Sequence, residues 1–160
     1  MRVWLGNADS EKTSAEEYSA LVAELKAMCT VAAEYGLAVC PECHDNTYNN
    51  NTDAFLKIYS ETACKNFGTY FQSRYCRRDY DLDRIERTAR QIECVHVSFF
   101  DMFREQFPAY KPGYMSTLVD KLKEVGYNKS IIIEFTYFSM QRGFVPALKR
   151  DIARLKALIK

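Results

Sequence analysis

Residues 14–43 read SAEEYSALVAELKAMCTVAAEYGLAVCPEC, and this run decides the fold class. Ser14 and Glu17 stand at the spacing of a capping box, in which the serine hydroxyl accepts the glutamate amide and the carboxylate returns to the serine amide. Tyr18, Leu21, Val22, Leu25, Met28, Ala32 and Tyr35 recur at the interval of one helix face, and Gly36 supplies the left-handed residue that ends a helix. Leu37-Ala38-Val39-Cys40 follows directly, too short for a helix and placed where a buried parallel strand belongs.

Outward from this run the same unit recurs with different residues. Val3-Trp4-Leu5 reads as an opening strand. Asp53 is expected to cap a helix carrying Phe55, Ile58 and Tyr59, with Gly68-Thr69-Tyr70-Phe71 the strand after it. Asp81 is expected to cap a helix carrying Leu82, Ile85, Ala89 and Ile92, followed by a strand over Cys94-Val95-His96-Val97-Ser98-Phe99. Leu118, Val119, Leu122 and Val125, closed by Gly126, precede the strand Ile131-Ile132-Ile133-Glu134-Phe135. Val145, Leu148, Ile152, Leu155 and Ile159 form the last amphipathic stripe. Strands alternating with helices at the roughly 30-residue spacing of a βαβ unit predict an α/β chain with a parallel sheet. Five such units are too few for a closed eight-strand barrel, which needs about 250 residues. A doubly wound sheet and part of a barrel both remain open, with residues 1–160 as one domain.

Composition narrows the functional classes. With 22 Lys+Arg against 21 Asp+Glu the net charge is +1, so there is neither a basic stripe for nucleic acid nor a polybasic face for anionic lipid. No run approaches the roughly 18 apolar residues of a membrane span, and Met1-Arg2-Val3-Trp4-Leu5-Gly6 lacks a signal-peptide core, which makes the expected location cytoplasmic. Cys29, Cys40, Cys43, Cys64, Cys76 and Cys94 are expected as free thiols serving in packing. Cys40-Pro41-Glu42-Cys43 matches a CxxC pattern, but its first cysteine falls inside a strand and no second close pair completes a zinc site.

In either α/β architecture the active site lies at the carboxyl ends of the strands. Glu42, His96 and Glu134 occupy such positions. A carboxylate after three isoleucines is costly to bury without a partner, so Glu134 needs one. Each residue taken singly has a plain reading: His96 as a satisfied core histidine, Glu42 or Glu134 as half of a salt bridge with Arg74, Arg77 or Arg104. Together, two carboxylates and an imidazole make a hard oxygen/nitrogen donor set for Mg²⁺, Mn²⁺ or Zn²⁺.

Four pieces carry a resemblance: Arg2-Val3-Trp4-Leu5-Gly6, Glu42-Cys43-His44-Asp45-Asn46-Thr47, Val95-His96-Val97, and Ile133-Glu134-Phe135 with the helix after it. In order and spacing the chain resembles the fourth to eighth strands of the xylose isomerase-like TIM barrels, specifically the sugar phosphate isomerase/epimerase group. The resemblance implies a partial (β/α)8 TIM barrel of five parallel strand–helix units. The first three units would have to precede Met1, so the chain is either a fragment of a longer enzyme, an open half-barrel, or one half of a homo-oligomer that completes its own sheet. The resemblance also implies one divalent metal (Mn, Mg or Zn), held by a Glu, an Asp, a His and a Glu. Three of these carry over to Glu42, His96 and Glu134, while Gln72 stands at the Asp position and offers an amide oxygen, a weaker ligand than a carboxylate. Tyr75 stands where a His is often found. The implied activity is isomerisation or epimerisation of a small sugar or sugar phosphate by metal-assisted proton transfer through an enediolate, with Glu42 and Glu134 catalytic and His44 touching the substrate. Gln72 and Tyr75 keep open a non-catalytic, sugar-binding relative. An apurinic endonuclease shares the barrel, but it assembles several metals and needs more histidines than the two present here.

Overall fold

The structure, a computed structural model, describes residues 1–73, 77–97, 113–134 and 144–160. The chain divides into two compact units, one of residues 1–72 with 90–94, the other of residues 73–89 with 95–160. Strands and helices alternate along both, as the sequence predicts, with five strands and five α-helices among the described residues.

The first unit holds strand β1 (Arg2–Val3), a 3-10 turn (Ser10–Lys12), helix α1 (Ala15–Glu34), strand β2 (Cys40–Pro41), helix α2 (Thr52–Thr62), strand β3 (Thr69–Gln72) and the start of strand β4 (Ile92–Val97). The capping box of α1 is present: Glu17 N donates to Ser14 Oγ at 3.2 Å and Ser14 N to Glu17 Oε2 at 2.8 Å. Its far end closes on Gly36, at φ +65°, with Leu37 N donating to Ala32 O at 2.9 Å. The cap of α2 is Asn51, not Asp53. Its side chain accepts Ala54 N at 2.9 Å, and Asp53 falls in the first turn. An acid there still suits the positive helix end, which is why spacing alone mistakes it for the cap.

β1 and β2 run parallel with Arg2 opposite Cys40 and Val3 opposite Pro41. Parallel bridges from Val39 to Phe67 and from Glu42 to Tyr70 carry the pairing to β3, and Thr69 N donates to Gln91 O at 2.8 Å just ahead of β4. The expected strand over 37–40 is shifted toward its end, because only Val39 and Cys40 are sequestered while Leu37 is 47% exposed. Leu5, Leu25, Cys29, Val39, Phe55, Ile58 and Phe67 form the core between these strands and the two helices. Gly68 is required by close approach: a Cβ there would lie 2.6 Å from Glu93 Cγ and 2.8 Å from Gln91 O. Cys29, Cys40, Cys43, Cys64 and Cys94 are free thiols, and Cys76 lies outside the described residues. Burial and the neighbouring Cys64 push Cys29 up to about 12, so it remains a protonated packing residue.

The second unit holds helix α3 (Arg78–Thr88), the end of β4, helix α4 (Tyr114–Glu124), strand β5 (Ser130–Ile133) and helix α5 (Phe144–Ile159). Glu134 N donates to Val97 O at 2.8 Å, joining the ends of β5 and β4. Asp81 is not a cap. The helix begins ahead of it at Arg78, and the fully buried Asp81 carboxylate accepts the Tyr114 hydroxyl, tying α3 to α4. Ile92, expected at the end of the third helix, belongs to β4, since α3 stops at Thr88. Gly126, at φ +74°, closes α4 with Tyr127 N donating to Leu122 O at 2.9 Å. The apolar stripe of α5 is only partly covered: Leu155 is buried, but Val145, Ile152 and Ile159 are exposed. Among the described residues no helix is long and apolar enough to cross a membrane.

Candidate metal centre

In the first unit, Glu42 follows β2 directly. Its amide donates to Val3 O at 3.2 Å and it bridges Tyr70 of β3, so the backbone fixes it from both neighbouring strands. Its carboxylate is buried, and Arg2 Nη1 lies 3.0 Å from Oε2. Arg2 is therefore an ion-pair partner of Glu42, and Arg77, one of the partners expected from the sequence, lies over the Tyr80 ring. Arg74 and Arg104, the other two, lie outside the described residues, as does Tyr75.

Gln72 ends β3, two residues beyond the Tyr70 that bridges Glu42. Its Oε1 is buried with no hydrogen-bond partner among the described residues. An amide oxygen in that state costs free energy unless something ligates it.

His44 is exposed on the loop after β2. Its Nδ1 lies 2.8 Å from Asp45 O, and its ring meets Trp4 edge-on with centroids 4.6 Å apart. The loop is held by the Thr47 hydroxyl, which donates to His44 O at 2.7 Å, and by Asn46 N, which donates to Asp9 Oδ1 at 2.8 Å.

In the second unit, His96 on β4 and Glu134 after β5 come together, His96 Nδ1 lying 3.8 Å from Glu134 Oε2. The imidazole is buried, while the Glu134 side chain is 22% exposed. His96 on the adjacent strand is thus the side chain beside Glu134, at a distance longer than a hydrogen bond.

Glu42 in the first unit, and His96 with Glu134 in the second, offer side-chain donors of the kind that hold a metal ion. Two carboxylates and an imidazole suit a hard or borderline divalent cation. The buried Gln72 oxygen fits the same chemistry, being an acceptor of the right kind in need of a donor or a cation. Arg2 was not singled out from the sequence. The available signal was strand alternation, which puts Val3 into the helix-side core and Arg2 on the opposite face.

No family model matches the sequence, and no curated protein is significantly similar to it. Its structure is similar to that of the probable 3-DHS dehydratase AsbF involved in petrobactin synthesis in Bacillus anthracis, with a TM-score of 0.74 at 15% identity over 97% of this chain. It is similar to the 3-keto-D-glucoside 4-epimerase YcjR of E. coli, with a TM-score of 0.68 at 17% identity over 88% of this chain. It is also similar to an L-ribulose 3-epimerase, with a TM-score of 0.74 at 13% identity over 91% of this chain. The chain spans 62%, 54% and 55% of those three chains in turn. The fold is therefore α/β, that of part of a (β/α)8 TIM barrel.

Proposed function

We propose that this chain carries part of the active centre of a sugar or sugar-phosphate isomerase/epimerase, in which Glu42, His96 and Glu134, with Gln72, hold one divalent cation. The observation that carries the reading is the His96–Glu134 pair at the ends of adjacent strands, on a fold whose solved relatives include sugar epimerases. When bound, the cation supplies polarisation of a substrate carbonyl and hydroxyl. The chain's own residues move the proton. One of Glu42 and Glu134, ionised, would take it from the carbon next to the carbonyl, leaving an enediolate, and the other, protonated for this step, would deliver its own proton to the neighbouring carbon or to the opposite face, so that the two exchange protonation states. His96 is a ligand rather than a proton carrier. His44, exposed beside Trp4, touches the sugar from the loop after β2.

The substrate is a small ketose, aldose or sugar phosphate, and the location is cytoplasmic. Gln72 favours a second reading, a relative that binds sugar without turning it over, because a neutral ligand weakens the cation site.

The two readings separate in heavy water. A metal-loaded ketose isomerase or epimerase washes solvent deuterium into the carbon-bound position next to the carbonyl, read by NMR. Glu134→Gln should lower that exchange by at least about 10²-fold, the usual share of general acid–base catalysis. Exchange within about threefold of the parent would remove Glu134 from the chemistry, and binding of a sugar with no exchange at all would leave the non-catalytic reading.

A further inference from the structure

Arg2 and Glu42 are unequal partners. The Glu42 side chain is 3% exposed and the Arg2 side chain 42%, with Nη1 3.0 Å from Oε2. The backbone of the glutamate is fixed from behind, its amide on Val3 O and its main chain bridged to Tyr70. The guanidinium sits on a flexible stem partly open to solvent, so it can swing off Glu42 without moving the backbone, but only by giving up this ion pair.

We propose that Arg2 is the resident counter-cation of the site: it neutralises Glu42 in the metal-free chain and gives way when a divalent cation binds. The proposal rests on the metal reading above. Charge arithmetic makes it consequential. Of the proposed ligands, Glu42 and Glu134 bring one negative charge each while His96 and Gln72 ligate as neutral groups, so Arg2 offsets one of those two negative charges. Repulsion between a guanidinium and a divalent ion a few ångströms apart corresponds to about tenfold in affinity or more, even in a water-like dielectric. Arg2 thereby sets a threshold, so that the site loads only at cation concentrations high enough to outcompete a tethered positive charge.

The test is calorimetric titration of Mn²⁺ into the parent chain, Arg2→Met and Arg2→Lys, with circular dichroism to verify the fold. Arg2→Met keeps the apolar stem and deletes the charge, and it should bind Mn²⁺ at least about tenfold more tightly than the parent. Arg2→Lys keeps the charge and should bind like the parent. Should Arg2→Met fail to fold, Arg2→Gln reads the same loss of charge with a polar head retained. Equal or weaker binding by the uncharged variant overturns the proposal and makes Arg2 an orienting partner of Glu42. Absence of Mn²⁺ binding by the parent and both variants overturns the metal reading itself, and this inference with it.

Discussion

Replacing Asn51 by alanine tests where the second helix begins. In the structure Asn51 Oδ1 accepts Ala54 N at 2.9 Å, while Nδ2 lies 3.0 Å from Ser10 Oγ, 3.1 Å from Glu11 Oε1 and 3.2 Å from Asn50 Oδ1. One side chain thus caps α2 and ties it to the 3-10 turn before α1. Loss of such a cap costs about 1 kcal/mol, and the partly buried bond to Ser10 adds about 0.5–1 kcal/mol. Asn51→Ala should therefore destabilise by about 1.5–2 kcal/mol, a fall of about 3–8 °C in Tm for a chain of this size. Asp53→Ala, which removes an exposed acid from the first turn, should cost no more than about 0.5 kcal/mol. Urea unfolding followed by circular dichroism gives both numbers. An Asp53→Ala loss equal to or larger than that of Asn51→Ala would show that the helix starts at Asp53, and the capping argument would fall.

Two further substitutions probe one unit each. Gly68→Ala must push Glu93 and the Gln91 carbonyl away from a Cβ that would lie within 2.8 Å of both, so we expect a loss of about 2–3 kcal/mol; a change under about 0.5 kcal/mol in urea unfolding would contradict the close approach. Tyr114→Phe deletes the hydroxyl that donates to the buried Asp81 carboxylate, a charged hydrogen bond whose removal should cost about 2 kcal/mol; thermal unfolding within about 1 °C of the parent would show that Asp81 does not depend on it.

What could be read from the sequence was what is decided locally. Ser14, Glu17 and Gly36 settle the ends of α1 within a few residues of themselves, and both ends form as expected. Asp81 could not be read this way. Its partner Tyr114 is 33 positions away, and an acid near a helix start looks the same from the sequence whether it caps the helix or lies buried beneath it. The stripe of α5 shows the converse limit: periodicity identifies an apolar face, but only the surrounding chain determines whether Ile152 and Ile159 are covered. At the site, the cost of burying a carboxylate beside three isoleucines required a partner for Glu134, and His96 lies beside it. Strand alternation places Arg2 on the face opposite the core, but its meeting with Glu42 depends on the register of β1 against β2, which pairs Arg2 with Cys40 and Val3 with Pro41.

On the proposed reading, two features of this chain act in the same direction. Gln72 offers a neutral oxygen where a carboxylate would bring a third negative charge, and Arg2 sets a positive charge 3.0 Å from Glu42 Oε2. Each weakens the field that draws in a divalent cation, and because they act on the same charge balance their effects compound. Gln72→Asp combined with Arg2→Met should therefore raise Mn²⁺ affinity by more than either change alone. A double variant that binds Mn²⁺ no better than Arg2→Met would show that position 72 stands outside the coordination sphere, and would reduce the site to Glu42, His96 and Glu134.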